Sequence, residues 1–80
     1  MTVTEFNGTV VSTQGSGSGP FTGVVDFPNP NPPPATFRRI FDLTAEWKTA
    51  LDQAKLNGDK VDVTYDDQTF QVSNVYSHNP

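Results

Sequence analysis

Cysteine is absent from the 80 residues, which excludes disulfides and thiolate chemistry alike. Histidine occurs once, as His78, in a polar stretch near the end that reads as a loose tail. Cations are scarce: Arg38, Arg39, Lys48, Lys55 and Lys60 face nine acidic residues, for a net charge of -4. Phosphate backbones are held by clustered Lys and Arg, and only the two arginines are adjacent. General nucleic-acid binding and an anionic membrane surface are therefore both disfavoured. No apolar run approaches the roughly 20 residues of a spanning helix. The start, Met-Thr-Val-Thr-Glu-Phe, has neither the basic opening nor the apolar stretch of a secretory signal. Together with the missing cysteines this favours the cytoplasm. Hydrophobic residues make up only 34% of the chain. One core is all that this length allows, and so few apolar residues point to packed loops or association between subunits.

What is present is organised around residues 44–65. Leu43, Trp47, Ala50, Leu51 and Ala54 recur at the spacing of a helix with one buried face. Thr44 is placed to cap its start with a hydroxyl, and Glu46 and Lys55 complement the helix dipole at either end. Asn57-Gly58 ends it, because glycine accepts the left-handed backbone of a helix terminus. On this periodicity Trp47 reads as a core anchor rather than a ligand-stacking surface. Residues 60–65 then alternate, with Val61, Val63 and Tyr65 on one face of a strand.

Four further strands are expected. Residues 2–12 put Phe6, Gly8 and Val10 on one face, and Gly8 inside the run predicts a bulge or sharp bend. The glycine-serine run of residues 13–20 is a hairpin loop; it lacks the Gly-Lys-Ser/Thr ending of a phosphate-cradling loop. Residues 21–27 align Phe21, Gly23, Val25 and Phe27. Pro28 to Pro34 holds five prolines, which predicts a stiff extended connector; the Pro30 and Pro33 pair also fits the spacing read by proline-binding domains, though no basic residue lies beside it. Residues 35–43 put Phe37 and Phe41 on one face with Arg39, and one arginine stem is expected to pack across the sheet. Asp66-Asp67-Gln68 makes a turn. Residues 69–76 form the fifth strand, in which Val75 breaks the alternation unless a bulge sits near Ser73 and Asn74.

No motif for catalysis, metal or cofactor is visible. His78 has no fixed partner in the sequence pattern, and no Ser or Thr has a candidate base near it. Asp66 and Asp67 do not match a calcium loop. The chain is expected to be non-catalytic and to need no cofactor.

Strand, strand, strand, helix, strand, strand is the plan of the OB-fold barrel, and the expected fold is mainly β with one helix, as a small five-stranded OB-like barrel forming a single domain over residues 1–80. A different small α+β sheet is the alternative. Glu46-Trp47-Lys48-Thr49-Ala50-Leu51-Asp52-Gln53-Ala54 followed by Gly58-Asp59-Lys60-Val61-Asp62-Val63 resembles the helix and next strand of the pentameric, glycan-binding B subunits of bacterial toxins. That resemblance covers the second half of the chain and implies a ring-forming barrel that binds a glycan. It carries no site residues across, and the chain departs from the family in lacking disulfide cysteines and a secretion signal. The expected function is a binding or assembly module for a glycan or a protein surface, with self-association. Candidate ligand contacts are Arg38, Arg39 and Tyr76, on or beside loops rich in Gly, Ser, Asn and Pro. Candidate interface residues are Gln71, Ser73 and Asn74, on a strand with no lysine or proline to keep its edge from pairing. A purely structural self-associating subunit is the second reading, and single-strand nucleic-acid binding by the barrel face the third.

Overall fold

The first strand, β1 (Thr2–Gln14), is shared by both halves of the sheet in a computed structural model that describes residues 1–29 and 35–80. Its first half pairs antiparallel with β4 (Lys60–Asp66), from Thr2 opposite Asp66 to Gly8 opposite Val61. Its second half pairs with β2 (Phe21–Pro28), from Thr9 opposite Asp26 to Gln14 opposite Thr22. The bend between the halves falls at Asn7-Gly8, where the register shifts and Asn7 takes a φ of 62°. Gly8 is required there by close approach: a Cβ at this position would lie 2.5 Å from Val25 Cγ1 and 2.6 Å from Phe27 Cε1. The bulge expected from this glycine is present.

On the far side of β2 runs β3 (Thr36–Leu43), and on the far side of β4 runs β5 (Val72–His78). The strand order is β3-β2-β1-β4-β5, with every neighbouring pair antiparallel. The sheet curls until its two outer strands meet at one parallel bridge, Asp42 with Gln71, where the Asp42 N–H donates to the Phe70 carbonyl at 2.9 Å. The result is a small five-stranded OB-like barrel, mainly β, with one helix inserted between β3 and β4. Residues 30–34, most of the proline-rich connector, lie outside the described residues.

The helix α1 (Ala45–Asn57) packs on the barrel through Leu51 and Ala54, both fully buried. Gly58 ends it with φ 72°, its N–H donating to the Lys55 carbonyl at 3.3 Å. Thr44 stands at the start with extended backbone, but its hydroxyl makes no capping bond, unlike the expectation. Inside the barrel the rings form a chain: Phe27 stacks on Phe37 at 5.6 Å, Phe41 meets Phe27 edge-on, and Tyr65 lies 4.8 Å from Phe41 and 5.5 Å from Phe70. Each buried ring or leucine contributes about 1.5–3 kcal/mol through removal of apolar surface from water.

Four local expectations change. Phe6 does not share the inward face of Gly8 and Val10; it is 60% exposed. The bulge puts two residues, Phe6 and Asn7, opposite the single Asp62, so the inward side switches from Val3 and Glu5 to Gly8 and Val10. Trp47 packs against the core but remains half-buried, and Leu51 is the fully buried anchor of the helix. The fifth strand begins at Val72 and runs on through Ser77 and His78, which belong to the sheet and not to a loose tail. β1 runs two residues further than expected, to Gln14. The second predicted bulge is present at Ser73: Asn74 faces Thr64 while Val72 faces Tyr65.

A candidate binding face on β1, β4 and β5

Alternation sends every second residue of β4 outward, and the register places their neighbours. Thr64 faces Thr4 on β1 and Asn74 on β5; Asp62 faces Phe6 and Asn7 on one side and Tyr76 on the other; Lys60 faces His78. The result is a face of three short rows. Its outward sense is confirmed at the edge by the Thr4 and Thr64 hydroxyls, 2.9 Å apart and exposed. Phe6 and Tyr76 are 60% and 62% exposed. They belong to one row, with Asp62 between them. Two strand spacings separate their backbones, about 10 Å.

Asp62 is the hub. Its Oδ1 accepts the backbone N–H of Asn7 at 2.9 Å and the His78 Nε2–H at 3.0 Å. Burial opposes its ionisation, but the Asn7 amide and the His78 ring together hold its carboxyl below the ordinary value. The hydrogen bond to Asp62 raises the pKa of His78, helped by its contact with the Asn79 carbonyl. Both ring nitrogens face oxygen acceptors, at 3.0 Å each, which is the arrangement of an imidazolium donating twice. Tyr76 stacks on His78 with centroids 5.8 Å apart. Lys60 reaches across to β1 and donates from Nζ to Thr9 Oγ1 at 2.6 Å.

The candidate contacts from the sequence are scattered. Tyr76 lies at the centre of this face. Arg38 points outward from β3, in the other half of the barrel, and grips Asp26 through Nε and Nη2 at 2.8 and 3.1 Å. Arg39 points inward, half-buried, its guanidinium 4.9 Å from the Phe37 ring centroid, as expected for the packed arginine stem. The two arginines and Tyr76 do not converge. Of the candidate interface residues, Asn74 lies on the face beside Thr64. Ser73 is the bulged residue, its hydroxyl donating to the Thr64 carbonyl at 3.4 Å. Gln71 closes the barrel opposite Asp42.

Among the described residues, concavities flank the barrel on two sides. One, about 600 Å³, lies at the closing seam among Gly17, Ser18, Phe21, Asp42, Thr44 and Gln71. It is the larger, and its one aromatic among the described residues is the half-buried Phe21. The other, about 410 Å³, adjoins the face and shares Asn7, Thr9 and Lys60 with it. Among the described residues no aromatic ring lines the smaller groove itself; it is the better placed of the two because it adjoins the face that carries the exposed Phe6 and Tyr76 rings, and binding draws on such surface. Phe6, Asp62 and His78 were missed in the sequence. The parity switch at Gly8 is the signal that moves Phe6 onto the outer side; no local signal joins Asp62 and His78 to it. Among the described residues no three His, Cys, Asp or Glu side chains converge on a metal position, and no helix is long and apolar enough to cross a membrane.

No family model matches the sequence, and comparisons with curated proteins and with solved structures find no significant match.

Proposed function

We propose that the chain is a non-catalytic binding module that holds a glycan on the outer face of β1, β4 and β5. The observation that carries this reading is the row Phe6–Asp62–Tyr76: two exposed rings flanking a carboxylate already fixed in orientation by Asn7 and His78. The C–H faces of a sugar ring stack on aromatic faces, while its hydroxyls donate to carboxylates and exchange hydrogen bonds with Thr, Asn and Lys. This face supplies both kinds of group at fixed spacing. A flat patch ordered by a sheet also loses little side-chain freedom on binding, since Tyr and Phe have only two torsions each. Screening on a glycan array, with Tyr76→Ala and Phe6→Ala as controls, tests it. Hits that both variants abolish support the reading; an array with no hit above background refutes it.

A second reading is self-association through β5, which would make the module a subunit of a closed ring like that implied by the sequence resemblance. It rests on the seam: among the described residues β5 has β4 on one side, and on the other a single bridge at Gln71 precedes it. Val72–His78 carries no lysine or proline, so its open edge is unprotected. Head-to-tail pairing of such edges closes into rings when the rotation fits. Native mass spectrometry decides it: a monomer at tens of micromolar rejects the reading, and an oligomer that Ser73→Pro dissociates supports it. Oligonucleotide binding that weakens with salt would instead favour the nucleic-acid reading, against which the central Asp62 argues.

A further inference from the structure

We infer that the ligand is a linear, electrically neutral oligosaccharide of about four units that runs from Tyr76 over Phe6 and on into the groove between β1 and the β2–β3 end. This rests on the glycan reading and extends it to ligand length and charge.

The continuity is in the register. Asn7 adjoins Phe6 at the bulge and lines the groove; Lys60 adjoins Asp62 on β4 and lines it too. Thr9 sits opposite Asp26, and Pro28 opposite Thr36, so the groove carries the face around the bend of β1 to the start of β3. From β5 to β3 is four strand spacings, about 19 Å along a curved surface. A chain that bends at its linkages follows that curve; a rigid planar ligand does not. The groove offers hydroxyls from Thr9 and Thr36, the Asn7 amide and an apolar wall at Pro28, again the complement of a sugar.

The charges on this path cancel within it. Asp62 is held by His78 and the Asn7 amide, Asp26 by Arg38, and Lys60 rests on Thr9. With Asp59, whose charge also acts on His78, three carboxylates meet Arg38, Lys60 and the His78 imidazolium. Among the described residues of this path an anionic sugar finds only Lys60 outside an ion pair, and a cationic one would have to displace Arg38 or His78.

The test uses the full chain and immobilised neutral gluco-, manno- and xylo-oligosaccharides of two to six units, with oligogalacturonates as the anionic set. Affinity is expected to rise roughly tenfold or more between two and four units and then level off. Thr36→Trp, at an exposed strand start, fills the groove and should return the longer sugars to the affinity of the disaccharide. Tyr76→Ala should weaken every length by about tenfold. If Thr36→Trp does not fold, amide chemical shifts of the unmodified protein decide: Thr9 and Thr36 must move with the tetrasaccharide and stay still with the disaccharide. Binding that is flat with length, or still Thr36 amides, overturns the inference and leaves the glycan reading standing. Preference for the galacturonates overturns the neutral ligand. No binding of any sugar overturns both.

Discussion

Replacing Gly8 by alanine should be among the most damaging single-methyl additions this barrel admits. The new Cβ would lie 2.5 Å from Val25 Cγ1 and 2.6 and 3.0 Å from two Phe27 ring carbons, where non-bonded carbons prefer about 3.5–4.0 Å. Neither neighbour can retreat. Both are fully buried, and Phe27 is held between Phe37 at 5.6 Å and Phe41 at 6.2 Å. Relief therefore requires β1 to move away from β2 at the bend that both half-sheets share. Overpacking costs about 1–3 kcal/mol, and two immovable contacts place this case near about 3. An 80-residue domain is stable by only about 4–12 kcal/mol. At about 4–8 °C per kcal/mol for this size, Tm should fall by about 12–24 °C in a circular-dichroism melt. Gly58→Ala is the control. It has open space around the Cβ but a φ of 72°, so only the left-handed backbone penalty of about 1–2 kcal/mol applies. Phe27→Leu combined with Gly8→Ala should be less destabilised than the sum of the two, because the smaller side chain relieves the clash. A Gly8→Ala melt within about 4 °C of the parent, or strict additivity with Phe27→Leu, would refute the packing argument.

Leu51→Ala should lower stability by about 2–5 kcal/mol and Trp47→Ala by less, roughly 2, since the tryptophan is only half-buried; urea titration ranks them. Phe6→Ala and Tyr76→Ala should change stability by no more than about 0.5 kcal/mol, so that any loss of sugar binding is not a loss of fold. The His78–Asp62 pair has a defined pH signature. The raised His78 pKa gives stability that is complete below the ordinary value of 6.5 and is lost as pH rises through the folded value, while the depressed Asp62 pKa gives stability lost as acid protonates it. Chemical denaturation should therefore show the parent weakening as pH climbs above 6.5 and His78→Ala showing no such slope; equal slopes would exclude the pair as its source.

Much of the barrel was legible because its signals are local. Alternation in residues 21–27 and 60–65, the helical stripe ended by Asn57-Gly58, and the bulges at Gly8 and Ser73 all depend on neighbours within a few positions. The face was less legible for the same reason. Plain alternation carried through Gly8 puts Phe6 on the face of Gly8 and Val10, whereas an inserted residue reverses every side chain before it relative to those after it. Joining Phe6, Asp62 and Tyr76 requires knowing that β1 pairs with a strand more than 50 residues away. His78 looked like tail because nothing near it in sequence shows that it faces Lys60 and Asp62. Trp47 fits the stripe, but a side chain that large is seldom fully enclosed, and the stripe does not say where the barrel ends beneath it. Arg38 and Arg39 looked like a pair because they are adjacent; on a strand, adjacency guarantees opposite faces.

The two-sided use of β1 also sets an order on synthesis. Its second half can pair with β2 as soon as residue 28 is made, across a loop of only residues 15–20. Its first half must wait for Asp66. During that interval a three-stranded meander can form without the strand that completes its floor, and Val3, whose partner is Tyr65, stands unshielded. Such non-local closure is the slow part of folding for barrels of this kind. The bulge at Asn7-Gly8 therefore acts as a temporal boundary as well as a bend, dividing one strand into a part that finds its partner early and a part that finds it last.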